Sequence, residues 1–110
     1  MLGHLGLNIY YTVPIGFGTK IYHPFGIVIN AKSVIGKNVK LRQGTTIGNK
    51  GNNNFLSPRI GDNVDVGSNS IIIGDITIGD YSKIGAGSVV TKDCSINSVM
   101  VGNPARNIKK

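Results

Sequence analysis

The chain has 110 residues and a formal net charge of +7, with 16 glycines, one cysteine and no tryptophan. That length suits one domain with a modest core, and a single cysteine excludes a disulfide framework. With no apolar run of 18 residues and no charged-then-apolar leader, the expectation is a cytoplasmic chain without an integral membrane segment.

The positive charge has two readings. Nucleic-acid binding would want a basic block interleaved with aromatic residues. Here the basic residues are scattered (Lys32, Lys37, Lys40, Arg42, Lys50) and gather only at Arg106 to Lys110, so no nucleic acid is expected. What remains is either a solvated surface with a basic tail, or a field that attracts an anionic small molecule such as a phosphorylated cofactor.

Met1 to Leu7 carry no repeat, and His4 lies there as a terminal histidine. The chain therefore reaches its first repeat with little room for a capping segment. From Ile9 an aliphatic residue returns every sixth position: Ile9, Ile15, Ile21, Ile27. At Gly26-Ile-Val-Ile-Asn30 the phase slips by two and resumes as Ile29, Ile35, Leu41, Ile47. A slip of two keeps the same side chains inward, so it lengthens one coil without breaking the stack.

Ile60 follows Ile47 by thirteen steps rather than twelve, with a Gly- and Asn-rich segment between them. This segment, 48–59, is predicted to project from a corner, either as a functional insertion or as a tolerated one. From Ile60 the sixes are strict: Val66, Ile72, Ile78, Ile84, Val90, Ile96. Neither a helical period near 3.6 nor plain strand alternation gives this spacing, which predicts a hexapeptide parallel β-helix. The whole chain, 1–110, is one such domain, with repeats over 9–96 and a tail over 97–110. Pro104 should stop a further central strand and send the tail out along the column.

Few residues could carry chemistry. The five acids (Asp62, Asp65, Asp75, Asp80, Asp93) sit mostly at turns, where aspartate caps its own backbone. Cys94 is four residues after Val90, where earlier repeats place Val64, Ser70, Ile76, Ser82 and Ser88, and reads as a small packing residue. His23 is different. It begins a corner that Pro24 stiffens, beside the two-residue slip, and an imidazole held there could act as a general base or simply as a turn residue.

Four segments carry a resemblance: His23-Pro-Phe-Gly-Ile-Val-Ile-Asn30, Arg42-Gln-Gly-Thr-Thr-Ile-Gly-Asn49, Ile84-Gly-Ala-Gly-Ser-Val-Val-Thr-Lys-Asp93 and Val101-Gly-Asn-Pro-Ala-Arg106. From about Leu7 to Ile108 the chain resembles the catalytic domain of the serine acetyltransferase family. In detail it is more similar to the short acetyltransferases of surface-polysaccharide gene clusters. The resemblance implies an all-β, left-handed parallel β-helix that assembles as a homotrimer, with acetyl-CoA in the groove between two subunits and no metal required. It implies that His23 takes the proton of an acceptor hydroxyl as that hydroxyl attacks the thioester, without an acyl-enzyme. The matching cofactor positions are Gly48, Ser68, Ala86, Thr91, Lys92 and Arg106. Ser68 and Ala86 would equally serve as small turn residues, and Lys92 as a solvated charge.

The departures bear on the acceptor. Serine-using members carry an aspartate where this chain has Asn8, another where it has Tyr22, and a histidine where it has Ser57. A sugar hydroxyl suits the changed site better than serine, with Asn8 and Ser57 on the acceptor side. The expected activity is therefore O-acetylation of a sugar or polysaccharide precursor, the alternatives being a serine O-acetyltransferase and a non-catalytic hexapeptide scaffold. The metal-dependent carbonic anhydrases of this fold need three histidine ligands, and this chain has two histidines far apart in sequence.

Overall fold

A computed structural model describes residues 7–51 and 56–109. His4 and the middle of the 48–59 segment lie outside the described residues. Among the described residues every regular element is a short strand, and the chain winds as a left-handed parallel β-helix with three faces.

The first face stacks Leu7–Ile9, Ile27–Ile29, Thr46–Gly48, Ile71–Ile73 and Val89–Val90. Val34–Ile35, Arg59–Ile60 and Thr77–Ile78 form the second. The third holds Lys20–Tyr22, Lys40–Arg42, Asp65–Val66, Lys83–Ile84 and Val99–Gly102, with Ala105–Asn107 added at its edge. Each coil bonds only to its neighbours. On the third face Lys20 N–H donates to Val39 O (2.9 Å), Lys40 N–H to Val64 O (3.0 Å), Asp65 N–H to Ser82 O (3.0 Å) and Lys83 N–H to Ser98 O (2.8 Å).

Three aliphatic columns fill the interior. One runs Ile9, Ile29, Ile47, Ile72, Val90, a second Ile35, Ile60, Ile78, and a third Ile21, Leu41, Val66, Ile84, Met100. A six-residue repeat works because two residues turn and the next aliphatic side chain then points inward again from the next face; three sixes close a coil, so the residue eighteen positions on lies about 4.8 Å above. The other inward positions mix apolar residues such as Val39, Val64 and Ile76 with polar ones: Thr45, Ser70, Ser82, Ser88 and Ser98 are buried. Four of these hydroxyls bond corner carbonyls, as when Thr45 Oγ1 donates to Arg42 O (2.7 Å) and Ser70 Oγ to Gly67 O (2.7 Å), while Ser88 Oγ accepts from Gly102 N–H (3.1 Å). The corners are tight: at Gly67 a Cβ would lie 2.5 Å from the backbone nitrogen of Ala86.

The register places the irregularities. Ile21 stacks on Leu41 and Ile9 on Ile29, twenty residues apart in both pairs (41 − 21, 29 − 9), whereas Ile29 stacks on Ile47 after eighteen (47 − 29). The two surplus residues therefore sit between Ile21 and Ile29, at the His23 corner. The long excursion lies between Ile47 and Ile60, but its far end is already in the column: Ser57 and Pro58 are buried.

Three expectations are corrected. Ile96 is not inward but 65% exposed; Cys94 bridges to Ile78 instead, because the coil after Val90 is two residues short. Cys94 thus takes the place of the column's aliphatic residue and packs against the core. The column also does not end there, since Met100 is 5% exposed and stacks on Ile84; only after Gly102 does the chain reverse at Pro104 and return antiparallel. Finally, the acids do not cap their own turns. Asp62 Oδ1 accepts from Lys37 N–H (2.9 Å), Asp80 Oδ1 from Asp62 N–H (2.8 Å) and Asp93 Oδ1 from Thr77 N–H (2.7 Å), so each ties one coil to another.

The corrected register predicts opposite outcomes for two similar truncations. Ile72→Ala opens a cavity in a fully buried column and should cost about 2–5 kcal/mol in urea denaturation. Ile96→Ala should stay within about 0.5 kcal/mol of the parent.

Candidate active site

His23 stands where the third face turns into the first. The strand Lys20–Tyr22 ends, His23 takes a left-handed backbone conformation (φ 52°), and Gly26 (φ 67°) completes the turn. Two surplus residues widen this corner relative to those stacked on it. His23 O accepts from Phe25 N–H (2.7 Å), and the side chain is exposed. Among the described residues no side chain hydrogen-bonds its ring. A residue other than glycine or asparagine at positive φ is uncommon, and such outliers collect at working sites.

The corner continues as a ladder. Phe25 O accepts from Gly44 N–H (2.8 Å), Gln43 O from Asn69 N–H (2.9 Å), and Ser68 O from Gly87 N–H (2.9 Å). His23, Ser68 and Ala86 therefore share one edge of the prism, with Ala86 about 14 Å along the axis from the first rung.

The opposite edge of the first face collects Gly48, Thr91 and Lys92. Gly48 O accepts from Gly74 N–H (2.9 Å), Thr91 follows the strand Val89–Val90, and Lys92 is exposed. Between the two edges runs an outward row in register: Asn8, Val28, Thr46, Ile71, Val89. Val28 and Ile71 are each more than a third exposed. The sequence candidates thus flank one face, and Asn8 lies on it.

Ser57 is next to the Gly48 edge but inside it, since its partner Asn30 has its Cβ 3.9 Å from where a Cβ at Gly48 would lie. It is 2% exposed, and its hydroxyl donates to Asn30 Oδ1 (3.1 Å), so it anchors the returning excursion to the column. Arg106 lies on the return strand opposite Val101, just past the end of the corner ladder, and is exposed. Asn107 holds that strand in place: its Oδ1 accepts from Val99 N–H and Lys109 N–H (both 3.1 Å), and its Nδ2 donates to Ser98 Oγ (3.1 Å).

One group escaped the sequence reading. Arg42 is not a scattered turn charge but a strand residue whose guanidinium lies 5.6 Å from the centroid of the Tyr22 ring. Its Nη1 donates to Asp65 Oδ1 and to Val66 O (3.0 Å). Tyr22, immediately before His23, is thereby held by a cation over its ring. Only the stacking of Tyr22 on Arg42 brings them together, and no spacing rule in the sequence announces it.

An extended ligand with amides and phosphates suits these edges. A Cβ at Gly87 would meet nothing within 4 Å, so backbone there can be approached from outside. Lys92 and Arg106 form no ion pair among the described residues and can serve as charge-assisted donors. Among the described residues no group of three or more His, Cys, Asp or Glu side chains converges as metal ligands would.

This arrangement is a left-handed prism of hexapeptide coils, and its likeness to known proteins narrows the class. A family profile described as bacterial transferase hexapeptide (six repeats) matches residues 57–92. WcaB of Escherichia coli (strain K12), which carries the name of a colanic acid biosynthesis acetyltransferase, is 43% identical over 101 residues, 92% of this chain and 62% of WcaB. Soybean serine acetyltransferase complexed with serine superposes with a TM-score of 0.90 at 38% identity, over 94% of this chain and 43% of the soybean chain. A serine acetyltransferase in complex with CoA gives 0.80 at 35% identity, over 88% and 39%. Residues 57–92 carry the hexapeptide transferase repeat, and nearly the whole chain is similar to these acetyltransferases. It spans about three-fifths of WcaB and less than half of these two serine acetyltransferase chains.

Asn107→Ala should loosen the return strand without unfolding the prism. The expected loss is about 1–3 kcal/mol of local protection, read as faster amide exchange at Val99 and over 105–109.

Proposed function

We propose that this protein is an acetyl-CoA-dependent O-acetyltransferase that acts on a hydroxyl of a sugar or polysaccharide precursor. The observation that carries the reading is His23: an exposed imidazole at positive φ, on a corner widened by two residues, beside the rungs that hold Ser68 and Ala86. The similarity to WcaB over nearly all of this chain supports the acetyl group and the saccharide acceptor. The CoA-bound relative supports the co-substrate.

His23 accepts the acceptor's hydroxyl proton while that oxygen forms a bond to the thioester carbonyl. The carbon–sulfur bond breaks, the thiolate leaves, and the proton passes to it, giving an acetyl ester and free CoA. A positioned base of this kind supplies about 10²–10⁴ in rate, and alignment of the two substrates contributes further. Gly48, Ser68, Ala86 and Thr91 offer corner backbone to the pantetheine amides, while Lys92 and Arg106 meet phosphates. Asn8 lies on the acceptor side. The outward row of Val28 and Ile71, between the two cofactor edges, is where a neighbouring prism would pack in a homotrimer.

A serine O-acetyltransferase is the second reading, favoured by the similarity to the serine-bound soybean enzyme. Asn8, Tyr22 and Ser57 weigh against it, because none supplies a carboxylate or imidazole to an amino-acid acceptor and Ser57 is buried.

Free-thiol release from acetyl-CoA, measured with serine and a sugar panel side by side, separates the two readings. Release that needs a sugar is expected; release with serine alone would replace the first reading by the second. His23→Ala should lower turnover by about 10²–10⁴ and leave acetyl-CoA binding intact. Lys92→Ala and Arg106→Ala should each raise the KM for acetyl-CoA by about tenfold or more, as loss of a charge-assisted bond does.

A further inference from the structure

A cavity of about 290 Å³ opens on the third face, at the corner where the second face turns into it and on the far edge of that face from His23. Asn38, Lys40, Asn63, Asp65, Tyr81 and Lys83 line it. None of these residues serves the acetyl transfer proposed above.

Tyr81 is out of place for the fold. Along this corner the stacked rungs are Asn38, Asn63, Tyr81 and Asn97, each donating its backbone N–H to the neighbouring coil: to Phe17 O, Lys37 O, Asp62 O and Asp80 O. All four are left-handed, with φ between 54° and 63°. Asparagine tolerates that conformation and a bulky aromatic residue does not. Among the described non-glycine residues at positive φ, the others are all Asn or His. Nor does burial compensate the strain, for Tyr81 is 60% exposed. The corner would fold as well or better with a fourth asparagine, so the ring is there for something outside the fold.

The charges beside it are also uncommitted. Lys40 and Lys83 are the register partners of Asp65 on either side, which puts their Cα atoms about 10 Å apart. The Asp65 carboxylate is taken by Arg42, and neither lysine forms an ion pair among the described residues. The cavity therefore offers an aromatic face, two ammonium groups whose intervening carboxylate is neutralised, and the carboxamides of Asn38 and Asn63. An aromatic plate suits the apolar face of a pyranose ring, carboxamides suit its hydroxyls, and paired ammonium groups suit a carboxylate or phosphate.

We propose that this cavity binds an anionic saccharide, with the sugar ring against Tyr81 and its carboxylate or phosphate between Lys40 and Lys83. The site is separate from His23 and does not depend on the acetyl-transfer reading.

The test is calorimetric titration of the purified protein without acetyl-CoA, using four probes: a glucuronate-containing oligosaccharide, a hexose phosphate, a matched uncharged oligosaccharide and inorganic phosphate. At least one charged sugar should bind at least tenfold more tightly than the uncharged oligosaccharide and than inorganic phosphate, and the two charged arms identify the anion. Tyr81→Asn should keep a melting temperature no lower than the parent's and weaken that binding at least tenfold; Lys40→Gln and Lys83→Gln should weaken it similarly. The proposal fails if neither charged sugar binds at millimolar concentration, or if the uncharged oligosaccharide or inorganic phosphate binds equally well. It fails too if Tyr81→Asn melts lower than the parent while binding is unchanged.

Discussion

Every coil of this protein must return to the same three corners, because the backbone of each coil finds its hydrogen-bond partners only in the coils next to it. The ladder from Lys20 through Lys40, Asp65 and Lys83 is one line of that constraint, and the inward column from Ile9 through Ile72 to Val90 is another. A buried polar backbone group without a partner is costly, so the chain can lengthen a coil only at a corner. It does so at His23 and again between Ile47 and Ile60, and it shortens one coil between Val90 and Cys94. All three irregularities leave the stacking of later coils intact.

That same constraint turns a one-dimensional sequence into surfaces. Residues about 18 positions apart become neighbours at one strand spacing, so a corner is a row and a face is a grid. One row gathers His23, Ser68 and Ala86, and the other edge of the same face gathers Gly48, Thr91 and Lys92. A rigid prism can hold a long ligand along such edges with no moving part, because each contact is set by backbone already committed to the ladder. Conformational strain stands out against this regular background. Left-handed corners take glycine or asparagine for free, so His23 and Tyr81 at the same kind of backbone position ask for a reason beyond folding.

Much of the fold was legible beforehand, because aliphatic side chains at sixes leave no other architecture that buries them all. The inward residues from Ile29 to Val90 and the two-residue slip beside His23 were readable in this way. The end of the repeat was not. Ile96 continues the spacing yet faces solvent, since a coil two residues short is invisible until Cys94 is seen beside Ile78 and Met100 above Ile84. The burial of Ser57 was hidden for a related reason: a long polar excursion does not reveal in its composition where it rejoins the column.

By itself, then, the sequence determined the prism and the corner that carries His23, because period and turn chemistry act locally. Tertiary structure decided which coil stacks on which, and with that everything that depends on residues distant in sequence. It set Arg42 over the Tyr22 ring and drew Asp65 away from Lys40 and Lys83. It also brought Tyr81 into a cavity with asparagines some twenty and forty positions earlier in the chain. No local rule reaches across those distances; only the register of the ladder does.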